Sequence, residues 1–184
     1  MSSYDLPMSA SIGGRTYSIR SDYRAVLDII EVFNDASISN EDRTLIVLTI
    51  FYEDFETMPF SDFNEALEYL RWFINGGKEV KDEGKKPILM NWKQDFQLIV
   101  SPINKALGYE VRAAEFVHWW TFLAAYMEIG DCMFAQVVSI RKKRKSGKKL
   151  DKQDKQFYRD NFDLVELKVE ETEEEKAIFE EWLT

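Results

Sequence analysis

The sequence predicts a mainly α fold: a compact helical domain with a small N-terminal β-hairpin, a basic helix end and an acidic C-terminal extension. Three observations lead there. Apolar residues recur at spacings of three and four through most of the chain, capping residues and glycines punctuate those runs, and strict alternation is confined to two short stretches. With 184 residues, 45% of them hydrophobic and 14% aromatic, the chain can bury a core without disulfides or a structural metal, and general disorder is excluded.

The elements follow in order. Residues 8–19 form a hairpin around Gly13-Gly14, since glycine tolerates the positive φ of a two-residue turn. Pairing Ile12 with Arg15 sets Ala10 opposite Tyr17 and Met8 opposite Ile19, which gathers the apolar residues on one face. Ser21 caps a first helix carrying Tyr23, Val26, Leu27, Ile30 and Phe33, running to about Asn34. Ser39 with Asp42 resembles a capping box, and Leu45, Leu48 and Phe51 line the helix behind it. Ser61 caps a third helix with Phe63, Leu67, Leu70 and Ile74 inward, stopped by Gly76-Gly77. Lys78–Lys86 reads as an exposed loop. A helix follows from about Asn91 with Trp92, Phe96, Ile99 and Ile103 on one side. Pro102 should kink or restart it, with Ser101 as a new cap, and Gly108 ends it.

Residues 111–129 read as one helix with two apolar ridges. One is Phe116, Trp120, Leu123 and Met127; the other is Trp119, Phe122, Tyr126 and Ile129. Together they span about 180°, more than one surface-packed stripe needs. The second ridge is therefore a candidate docking surface, weighed against plain core packing. Asp131 caps the next helix, where Met133, Val137 and Ile140 face inward before Arg141-Lys142-Lys143-Arg144-Lys145. Cations suit a helix C-terminus, yet five in a row exceed that need. A polar helix over 151–161 carries Phe157 and Tyr158, Val165, Leu167 and Val169 alternate as in a short strand, and 173–183 is acidic with one apolar side.

The net charge of −9 is unevenly spread. Residues 141–159 hold ten Lys and Arg against two Asp and Glu, and residues 160–184 reverse that ratio. Block and tail can neutralise each other within or between chains. The organisation expected is a core over 1–145 with the hairpin, and a basic-to-acidic extension over 146–184. The N-terminus lacks the pattern of a secretory signal, and the longest apolar stretch is too short to span a bilayer, so a soluble intracellular protein is expected.

No catalytic constellation emerges. His118 is flanked by Val117 and Trp119, with neither nucleophile nor orienting acid beside it. One histidine and one cysteine, His118 and Cys132, do not make a zinc set. The Gly-Lys clusters at 76–78 and 84–86 lack phosphate-loop spacing. The expectation is a protein that is no enzyme and carries no cofactor and no metal. The basic block at 141–155 leaves nucleic-acid contact as the alternative. Against it stand the absence of an aromatic residue within Arg141–Lys149, the acidic tail and the lack of a recognition motif.

The run EFVHWWTFLAAYMEIGDCMFAQVVSIRKKRKSGKKLDKQDKQFYRDN resembles the C-terminal signature of a bacteriophage family named after gene product fifteen. The matching residues are His118, Trp119, Trp120 and Phe122; Ile140, Arg141, Lys142 and Lys143; Lys149 and Leu150; Phe157 and Tyr158, with Asp95 and Gly108 upstream. The likeness covers about residues 20–161 and is strongest from 91 onward. It implies a small protein of long-tailed phages and prophages of Gram-positive bacteria, acting in the host cytoplasm. Its gene would lie beside that of the tape-measure protein, and its role would be that of a tail-assembly chaperone. The partners implied are the tape-measure protein and other tail proteins, with homo-oligomerisation left open and no membrane. The residues assigned to partner binding are Trp119, Phe122, Tyr126, Arg141, Lys142, Lys143, Arg144 and Lys145.

Overall fold

The computed structural model describes residues 5–79 and 87–168, and the fold is mainly helical with one two-stranded sheet. Two antiparallel strands open it, β1 (Ser9–Ile12) and β2 (Arg15–Ser18). Their register is the expected one: Ala10 faces Tyr17 and Ile12 faces Arg15. Gly13 and Gly14 both take positive φ, which lets two residues reverse the chain.

Helices follow as α1 (Tyr23–Asn34), α2 (Asn40–Phe51), α3 (Phe63–Ile74), α4 (Trp92–Leu107), α5 (Trp119–Met127), α6 (Met133–Lys145), α7 (Lys152–Asp160) and the single turn α8 (Phe162–Val165). Ser39 caps α2 as expected, accepting from the Asp42 N–H at 3.1 Å. The cap of α1 is Asp22 rather than Ser21, its carboxylate accepting from the Arg24 N–H at 2.9 Å. At α3 the cap is Asp62, preceded by two short 3-10 turns, and not Ser61. Pro102 does not restart α4, which runs unbroken through it. Cys132 rather than Asp131 stands at the start of α6. The alternation at 165–169 forms no strand over its described residues: Val165 ends α8. The acidic segment 173–183 and most of the loop expected at 78–86 lie outside the described residues.

The largest departure is at 111–129. Only Trp119–Met127 is helical, with a 3-10 turn at Val111–Ala113. The physical reason is lateral pairing. The Val117 carbonyl accepts from the Tyr23 N–H at 2.9 Å, the Ser21 carbonyl accepts from the Trp119 N–H at 2.7 Å, and the Asp22 carboxylate accepts from the Val117 N–H at 2.8 Å. Backbone groups bonded sideways are not available to a helix ladder.

The chain divides into two compact units. The first contains residues 5–79 and 116–121. Its core is Val26 and Ile29 of α1, Val47, Leu48 and Phe51 of α2, Leu70 and Phe73 of α3, and the inner residues of the hairpin. The Tyr52 hydroxyl donates to the Ala66 carbonyl at 2.9 Å, and the Tyr69 hydroxyl to that of Ser9 at 3.0 Å. The second unit contains residues 87–115 and 122–168. It packs Ile99 and Ile103 of α4, Phe122 of α5, and Phe134, Val137 and Ile140 of α6, with Val165 of α8 closing on Val137 and Ile140.

Candidate functional site

The expected docking ridge is not on the surface. Trp119 is 1% exposed and Phe122 0%, and Tyr126 is half-buried. The Trp119 ring lies in the first unit and the other two in the second. There Trp92 packs against Tyr126 at 4.8 Å between ring centroids, and the Tyr126 hydroxyl donates to the Met90 sulfur at 2.9 Å. Burial pushes the Tyr126 phenol up from its ordinary value. These are core positions, so Trp119 and Phe122 present no apolar surface to a partner.

The His-Trp-Trp triplet instead ties backbone together. The Trp119 indole donates to the Ile74 carbonyl at 2.8 Å and the Trp120 indole to the Phe73 carbonyl at 2.8 Å. Two neighbouring indoles thus bond two neighbouring carbonyls at the C-terminal end of α3, and that of Phe73 also accepts from the Gly76 N–H at 3.0 Å. His118 accepts the Trp120 N–H at Nδ1, 3.0 Å away, and its Nε2 is 3.0 Å from the Pro7 carbonyl. An acceptor at Nδ1 and a carbonyl at Nε2 require the neutral ring with its proton on Nε2. Burial lowers the His118 pKa in the same sense, although the Pro7 carbonyl pulls the other way.

The basic block divides into two sets. Arg141 is 3% exposed and forms a two-pronged ion pair with Asp95, 1% exposed, at 2.7 and 3.0 Å. It also donates to the carbonyls of Leu89 at 3.1 Å, Leu164 at 2.6 Å and Val165 at 2.7 Å. That corrects its assignment to partner binding, because every N–H of the guanidinium already has an acceptor inside the second unit. Lys143 pairs with Asp154 at 2.6 Å, and that carboxylate holds the lysine pKa above its ordinary value. Arg144 pairs with Glu166 and lies over the Tyr158 ring, 4.5 Å from its centroid. Lys142 and Lys145 are exposed, and so are Lys148 and Lys149 beyond the helix end. This lysine strip is the part of the block that a partner can reach.

The Asp95–Arg141 pairing was missed by sequence reasoning, though a signal was present. Asp95 stands four and eight residues before Ile99 and Ile103, on the stripe that faces the core. A carboxylate there needs buried donors, and an arginine fork supplies two of them together with the opposite charge. Among the described residues no helix is long and apolar enough to cross a membrane, and no group of three or more His, Cys, Asp or Glu could hold a metal ion.

No curated protein and no solved structure matches the chain. A family model described as Bacteriophage Gp15 protein matches residues 3–167. That span takes in the hairpin, the His-Trp-Trp tie and both partners of the buried ion pair, and the chain belongs to the bacteriophage Gp15 family.

Proposed function

We propose that this phage protein is a tail-assembly chaperone that binds the helical tape-measure protein in the host cytoplasm and keeps it soluble until the tail encloses it. A long helical client with apolar stretches is prone to aggregate before assembly. A helical protein that covers such stretches and holds charge outward opposes that. The observation that carries the reading is the exposed strip Lys142, Lys145, Lys148 and Lys149 on a chain whose net charge is −9. Such local reversal of sign steers acidic segments of a partner to one place on an otherwise repelling surface. Trp119, Phe122 and Arg141 have no part in it, being buried.

Co-expression with the tape-measure protein of the same phage tests the proposal. The client is expected in the soluble fraction with the wild-type chain and in the pellet without it. The variant Lys142→Glu, Lys145→Glu, Lys148→Glu is expected to weaken the complex at low salt and to differ little from wild type at high salt. A client that is insoluble in both cases, or binding in low salt untouched by the three reversals, overturns the reading.

A further inference from the structure

α2 carries more apolar surface than the first unit covers. Residues 45–51 read Leu-Ile-Val-Leu-Thr-Ile-Phe, apolar all round but for Thr49. A helix of that kind wants cover on every side. Val47, Leu48 and Phe51 are buried against the first unit's core, whereas Leu45 is 43% exposed and Ile46 37%, with Thr49 exposed and Ile50 half-buried. These four positions span about 140° of the helix. The polar member is self-satisfied, since the Thr49 hydroxyl donates to the Leu45 carbonyl at 2.8 Å. Covering this face would therefore strand no side-chain donor.

Its margins are anionic. Glu41 and Asp42 at the start of α2, and Glu53 just past its end, are exposed. No Lys or Arg occurs between Arg43 and Arg71. Two arginines nearby keep their charge and are held against backbone carbonyls, Arg43 at those of Val32, Asp35 and Ile38 and Arg20 at those of Thr49 and Ile50, so the three carboxylates outnumber them.

We infer that the exposed face of α2, at Leu45, Ile46, Thr49 and Ile50, is the docking site for an amphipathic client helix whose apolar stripe is flanked by cations. This deepens the chaperone reading and rests on it. The stripe fills the uncovered face, and the flanking cations meet Glu41, Asp42 and Glu53.

The test uses the full chain and two fluorescein-labelled helical peptides of about 18 residues with one leucine stripe, flanked by lysine in one and by glutamate in the other. The lysine peptide is expected to bind wild type at least about tenfold more tightly than the glutamate peptide. Leu45→Gln with Ile46→Gln changes no charge and is expected to weaken it at least about tenfold. Glu41→Lys with Glu53→Lys keeps the apolar face and is expected to weaken it as well. No binding to wild type, equal binding by the two peptides, or glutamine variants that bind as wild type does would overturn the inference. So would a wild-type dimer that the glutamine variants render monomeric, since a second copy would then cover the face. Client co-expression separates the two levels. If the glutamine variants keep the tape-measure protein soluble as wild type does, α2 is not the site and the chaperone reading stands. If wild type itself fails there, the chaperone reading falls, and the peptides still decide what α2 binds.

Discussion

Arg141 shows what one residue can hold. Its five N–H groups meet five acceptors: both Asp95 oxygens and the carbonyls of Leu89, Leu164 and Val165. The acceptors come from α4, α8 and the segment before α4, so the guanidinium links three pieces of chain to α6. Removing it leaves a buried carboxylate without its cation, and breaking such a pair typically destabilises by about 3–5 kcal/mol. Arg141→Ala is expected to lose that much in urea unfolding. Arg141→Lys should recover little of it, because an ammonium offers three donors and no fork. A lysine variant as stable as wild type would show that charge alone, without the fork, holds the site.

At the scale of elements, the sequence made the helix positions legible and left the reasons for several residues hidden. The hairpin register followed from alternation, and the start of α2 followed from its Ser39 cap. The start of α5 did not, because the competing bonds come from Ser21, Asp22 and Tyr23, far away in the chain. The role of Trp119 and Trp120 was hidden for the same reason: their acceptors are carbonyls of α3. Periodicity reports which side chains are apolar, not which backbone atoms their polar ends meet. The same junction constrains Gly77. It takes φ +80°, and a Cβ there would lie 2.8 Å from the Trp120 ring, whereas Gly147, at φ +68°, faces open space. Gly77→Ala is expected to lower stability by more than Gly147→Ala, which should lose about 1 kcal/mol. Equal losses in thermal unfolding would show that the ring moves aside freely.

For the whole molecule, pH is the simplest probe, because the chain has a single histidine. The folded state holds His118 neutral with its pKa below the ordinary 6.5, so the unfolded chain binds a proton more readily. Stability is therefore full above about pH 6.5 and declines as pH falls through that value towards the depressed one. The Glu110 carboxyl, held at about 2 by hydrogen bonds from Arg112, adds stability that is present above its ordinary 4.5 and is lost as pH falls from there towards 2. His118→Asn keeps an acceptor for the Trp120 N–H and should flatten the slope of stability between pH 7 and 5; an unchanged slope would assign it to other groups. The saturated guanidinium of Arg141 has a bearing on how such experiments are interpreted. An alanine scan scored by pull-down would rank this position among the strongest hits, although its charge is silent to the outside. Only a melting curve taken beside each pull-down separates a lost handshake from a collapsed hand.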